Sequence, residues 1–143
     1  MPARHALAPT ATPTAKALDE KITINVGVVD LGQIDLLVAE GFFANRTDLI
    51  RTAIRTHLAS HADVVREVVA RKLLVLGIHH FDAQALRAVK ASGQRLQIRV
   101  LGLATIAADV TPALALASIE SLTVLGALHA SPAVKAALAG RIR

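Results

Sequence analysis

The tripeptide Val-Leu-Gly occurs three times in the second half of this chain, beginning at Val75, Val100 and Val124, at spacings of 25 and 24 residues. A fixed period of this length marks a supersecondary unit that buries its apolar face by stacking on its own repeats. Each copy is preceded by strand-like residues, KLL, LQIR and SLT, and followed by a helix start, FDAQALRAVKAS, VTPALALASIES and ASPAVKAALAGR. Asp82 serves as N-cap of the first helix. Thr111-Pro112 and Ser131-Pro132 join a capping side chain to proline at the first helical position in the other two. The spacing predicts a three-stranded parallel sheet with helices on one side, each glycine forming the turn after its strand. The period matches the length range of leucine-rich repeats without their asparagine ladder, so the reading is a short solenoid-like β-α repeat over residues 63–143. Such a stack has two open ends, and both are expected to meet other copies, as a closed pair or as a filament.

The first half has a different constraint. KITINV, residues 21–26, alternates strictly between apolar and polar, with Ile22, Ile24 and Val26 on one face and Lys21, Thr23 and Asn25 on the other. Two helices follow. In the first, Leu31, Ile34, Leu37 and Val38 recur at helical spacing, with Asp30 as N-cap and Gly41 at the end. The second opens at Asn45, a good N-cap, with Asp48 three residues on to return the hydrogen bond as in a capping box. Leu49, Ile50, Ala53, Ile54, His57 and Leu58 line its apolar face, and Arg51 and Arg55 fall off it. One strand and two helices cannot bury these faces alone, and a lone strand leaves its backbone groups unpaired. The economical solution is two copies pairing KITINV antiparallel, with four helices behind the ribbon.

This order, together with the run N-R-T-D-L-I-R-T-A-I-R from Asn45, resembles the ribbon-helix-helix DNA-binding proteins of the CopG/Arc/MetJ kind over residues 21–60. The resemblance implies an obligate dimer whose two-stranded ribbon enters the DNA major groove. Lys21, Thr23 and Asn25 would then read base edges: Asn bonds bidentately to adenine, Lys donates to guanine, and Thr exchanges hydrogen bonds or touches a thymine methyl. Asn45, Arg46 and Thr47, at the start of the second helix, would meet a phosphate, which the free N–H groups and positive helix end favour.

Composition narrows the alternatives. The chain has three Phe, no Tyr and no Trp, which argues against aromatic stacking on single-stranded nucleic acid. It has no cysteine, which rules out disulfides and thiol chemistry and fits a reducing, cytoplasmic setting. Residues 1–20, with three prolines and no continuous apolar run, read as a disordered arm. The most apolar window, residues 100–119, carries Asp109 and Pro112 at its middle, so no membrane partner is expected. The net charge of +5 is uneven: residues 1–62 carry six Lys/Arg against six Asp/Glu, and residues 63–143 carry ten against five. Arg66, Arg71, Lys72, Arg87, Lys90, Arg95 and Arg99 belong to that surplus and suit either a basic surface beside DNA or a solvated rim.

His57 and His61 have the i, i+4 spacing of two metal ligands, and His79-His80 follow the first repeat, but nothing in the spacing converges three ligands. His57 lies on the apolar stripe of its helix. No phosphate loop, nucleophile turn or paired carboxylates appear, so neither an enzyme nor a cofactor is expected. The sequence therefore reads as an α/β chain of three parts: an arm at 1–20, a ribbon-helix-helix DNA-binding and dimerisation domain at 21–62, and a β-α repeat oligomerisation domain at 63–143. The favoured function is a regulator of transcription that binds specific double-stranded DNA, with the repeats joining dimers. Two alternatives are a self-assembling scaffold that uses the ribbon only to dimerise, and an antitoxin-type regulator.

Overall fold

The computed structural model describes residues 18–143, so the expected arm at 1–20 falls almost wholly outside the described residues. Three helices come first: α1 (Val28–Ala39), α2 (Arg46–Ser60) and α3 (Ala62–Arg71). Three strand-helix units follow: β1 (Val75–Phe81) with α4 (Ala83–Ala91), β2 (Leu96–Ile106) with α5 (Pro112–Ser118), and β3 (Ile119–His129) with α6 (Pro132–Leu138). A 3₁₀ turn, Ala139–Arg141, closes the chain.

The strands form one parallel sheet in the order β1-β2-β3. The helices stand side by side as α4-α5-α6 on one face, as the repeat predicts. Their starts are the expected ones. Asp82 accepts from the Ala85 N–H at 2.7 Å, and Thr111 and Ser131 accept from Leu114 and Val134, each at 3.2 Å. Leu86 of α4, Ala115 of α5, and Val134 and Leu138 of α6 pack on Ile98, Val100, Ala104 and Ile106 of β2 and on Ile119 and Leu122 of β3. Ser118, the one buried polar side chain in this layer, returns its hydroxyl to the Leu114 carbonyl at 2.7 Å.

The repeated glycines are not turns, which corrects the sequence reading. The strands run through them, with Gly77, Gly102 and Gly126 in one register row at φ +123°, +138° and +121°. A Cβ on Gly102 would collide with the Gly77 carbonyl, and one on Gly126 with the Gly102 carbonyl. Each strand therefore approaches its neighbour closely, in a backbone conformation that L side chains rarely adopt. One end of the stack also differs from expectation. Ile142 bridges to Leu122, the Arg143 N–H donates to the Leu122 carbonyl at 2.9 Å, and Arg141 donates to the carbonyls of Leu116 and Ile119. The outer edge of β3 is thus covered in part, while that of β1 pairs with nothing among the described residues.

In the first half, residues 21–26 pair with no strand among the described residues. Helix α1 starts three residues earlier than its sequence suggests. Gly27 is the N-cap, its carbonyl accepting from Leu31 at 2.9 Å, and Asp30 lies in the first turn, where its charge suits the helix dipole. Gly41 ends the helix as expected, at φ +82°. The Phe42 N–H reaches the Leu37 carbonyl and the Gly41 N–H reaches that of Val38, which is a Schellman closure. Helix α3 was not foreseen; His61 ends α2 and begins it.

Candidate nucleic-acid interface

Lys21, Thr23 and Asn25 lie on one exposed segment without regular secondary structure that leads directly into α1. Their apolar alternates are as bare: Ile22 is 75% exposed and Ile24 63%. The strand expected at 21–26 is not formed within the described residues, and a strand left there with its backbone groups unpaired would need a partner. The helices behind it agree, because none of α1, α2 and α3 contains a buried residue. Between α1 and α2 runs an apolar groove of about 570 Å³, lined by Leu37, Phe43, Leu49, Ala53 and His57 among others. His57 therefore belongs to an apolar face, as its position in the helical stripe suggests.

The start of α2 is built with care. Asn45 is extended, and its Oδ1 accepts from the Asp48 N–H at 2.8 Å. Asp48 returns a bond, but to the Ala44 N–H at 3.0 Å, one residue before the cap. The N–H groups of Arg46 and Thr47, in the first turn, have no intrahelical acceptor. Asn45, Thr47 and Asp48 line a polar notch of about 350 Å³, and Arg51 and Arg55 complete it. Those two arginines were passed over in the sequence because they lay off the apolar stripe. Their i, i+4 spacing beside a helix start was the available signal.

Arg46 behaves differently from its two neighbours. Its Nε and Nη2 donate to Asp35 Oδ1 and Oδ2 of α1 at 2.7 and 2.8 Å, a two-pronged ion pair. The hydrogen bond from Arg46 holds the Asp35 carboxyl below its ordinary range, and Asp35 in turn raises the guanidinium. The side chain thus ties the start of α2 to α1, and what Arg46 has left to offer an anion is chiefly its backbone N–H.

The basic residues of the second half separate into groups. Arg66 pairs with Asp63 at 2.7 Å. Arg71, Lys72 and Arg99 converge with Arg143, Ser121 and Thr123 around a notch of about 360 Å³ where the strands begin. His79 and His80, adjacent in β1, lie on opposite faces of the sheet. His79 Nε2 is buried without a partner, and His80 is exposed. Among the described residues no three His, Asp or Glu side chains are grouped to hold a metal, and no helix is long and apolar enough to cross a membrane.

Residues 17–135, most of the chain, match the Ribbon-Helix-Helix transcriptional regulator family. No curated protein and no solved structure gives a significant match.

Proposed function

This chain belongs to the ribbon-helix-helix transcriptional regulator family, whose members dimerise and bind DNA, and from that premise we propose that it reads a specific double-stranded site through its residues 21–26. Two copies pair this segment antiparallel. Ile22, Ile24 and Val26 turn inward over the apolar faces of α1 and α2, and Lys21, Thr23 and Asn25 turn into the major groove. Asn45, Arg46 and Thr47 receive a DNA phosphate at the start of α2, Arg46 through its backbone N–H. Arg51 and Arg55 supply the cationic side chains of that contact. The observation that carries this reading is the bare, two-faced segment 21–26 standing ahead of helices with no buried residue.

The C-terminal units join dimers on neighbouring half-sites, which raises the effective concentration of the second reading head and offsets the zero net charge of residues 1–62. Because Ile142 covers part of the β3 edge, the bare edge of β1 is the one suited to that joint. Each dimer presents two such edges, so the assembly closes at two dimers where both edges meet the same partner dimer and grows further where they meet different ones.

The test is a titration of the chain against duplexes from its own upstream region, with random duplex as control, at two salt concentrations. Selective, cooperative binding is expected, and Thr23→Ala with Asn25→Ala should abolish the selectivity, at about 1–3 kcal/mol per lost base contact. Arg51→Ala should weaken binding to every sequence alike and lower the salt slope by about 1. Weak binding to all duplexes, vanishing as salt rises and unchanged in the double variant, would favour the scaffold reading that the neutral reading head also suits.

A further inference from the structure

The sheet is all parallel, yet helices cover only one of its faces. Parallel sheets occur almost only with both faces buried, since their strands are apolar on both sides. The strands here obey that rule in sequence. On β2, Ile98, Val100, Ala104 and Ile106 enter the helix-side core, so Leu101, Leu103 and Thr105 point the other way. The register extends this across the sheet. Leu76, Leu101 and Leu125 form one row of the open face, and Ile78, Leu103 and Ala127 the next. At the two outer strands the rows are bare: Leu76 is 68% exposed, Ile78 55% and Leu125 50%.

The described residues of the chain cover a little of this face. Leu18, Glu20 and Ile22 line a trough of about 510 Å³ together with Leu76, Leu101, Ile78, Leu103 and Ala127 of the two rows. Glu20 Oε1 lies 2.8 Å from Nε2 of His129, at the far end of β3. Ile22 therefore belongs both to the rim of the trough and to the segment that pairs with its twin.

We propose that the open face of the sheet packs against the same face of the second copy, the one that the paired 21–26 segments bring to it. This inference rests on the dimer described above and adds a second, C-terminal contact within it. The geometry follows from strand dimensions. The middle of a six-residue ribbon is about 5 Å from Ile22, so a two-fold axis there holds the two Ile22 residues on the order of 10 Å apart. Each trough is thus held close to the two-fold axis and to its twin. The aliphatic rows form the centre of this contact, and His80, Thr105 and His129 form a polar row at one end.

The absence of cysteine makes the test direct. Leu101→Cys places one thiol at the middle of the open face, and Arg87→Cys places one on exposed α4, on the opposite side of the sheet. With a short bis-maleimide, Leu101→Cys should give a covalent dimer in a yield that follows the dimer fraction seen by sedimentation, and Arg87→Cys should not. Adding Ile78→Glu and Leu125→Glu should abolish that cross-link while sedimentation still reports a dimer held by the ribbon. Both positions are about half exposed, so the helix-side core stays intact, which circular dichroism would verify. A chain that sediments as a dimer without cross-linking at Leu101, or that cross-links only in tetramers formed at high concentration, would overturn the inference and leave the ribbon dimer standing. A chain that sediments only as a monomer would overturn the ribbon dimer, and this contact with it.

Discussion

Every buried hydrophobic residue among those described lies at or beyond Leu74, while α1, α2 and α3 have none. The two halves of the molecule differ in where their cores come from. In the second half, Leu86, Ile98, Leu122 and Leu138 find their neighbours within the chain, because three strand-helix units repeat and each closes on the next. In the first half, Val28, Val29, Phe42 and Leu58 are 60–85% exposed. Nothing among the described residues covers the apolar side chains of 21–26, where Ile22 and Ile24 are mostly exposed. The lesson is that stability and function are divided along the sequence. The repeat half carries its helix-side core within the chain, and in the proposed dimer the first half acquires its core from the second copy.

Core truncation should break this contrast most severely. Leu122→Ala, in a fully buried site between β3 and α6, should cost about 2–5 kcal/mol, equally at high and low protein concentration. Denaturant unfolding at two concentrations checks both parts of that statement. Gly102→Ala comes next, at about 1–3 kcal/mol or more, since φ +138° and the Gly77 carbonyl both oppose a Cβ. Ile24→Ala sharpens the comparison from the other side. Its cost of about 1.5–3 kcal/mol should appear as a weaker dimer, about 10- to 150-fold in dissociation constant by sedimentation, with little change in a diluted, monomeric sample.

The smallest effect concerns Asp35. Arg46 depresses its pKa, so the stability this pair adds is fully present above the ordinary carboxylate value, about 4, and is lost as pH falls through the lowered one. Both groups are exposed, so the contribution is small. Asp35→Asn should flatten that acid limb in a comparison of unfolding curves from pH 6 downward.

What the sequence showed, and what it hid, follows the range of the interactions involved. Asn45, Asp82, Thr111 and Ser131 were readable as caps because a cap acts three residues away, and all four accept the expected backbone N–H. The three-stranded parallel sheet was readable from the equal spacing of the Val-Leu-Gly copies. The role of the glycines was not, since turn chemistry is the usual reason for Gly after an apolar run. Only the register shows that they align in one row. Helix α3 was hidden by its valines, which favour strands, although Val64, Val65, Val68 and Val69 recur at helical spacing. At the interface, the bond from Arg46 to Asp35 spans 11 residues and a turn, beyond what spacing alone reveals.

The most direct measurement is amide hydrogen exchange of residues 21–26 in the full chain, followed from high concentration to dilution. Pairing with a twin should protect these amides at high concentration and release them as the dimer dissociates, while β2 stays protected throughout. If residues 21–26 exchanged freely at every concentration while β2 remained protected, the segment would not be a ribbon, and the claim that a second copy completes the first half would be contradicted.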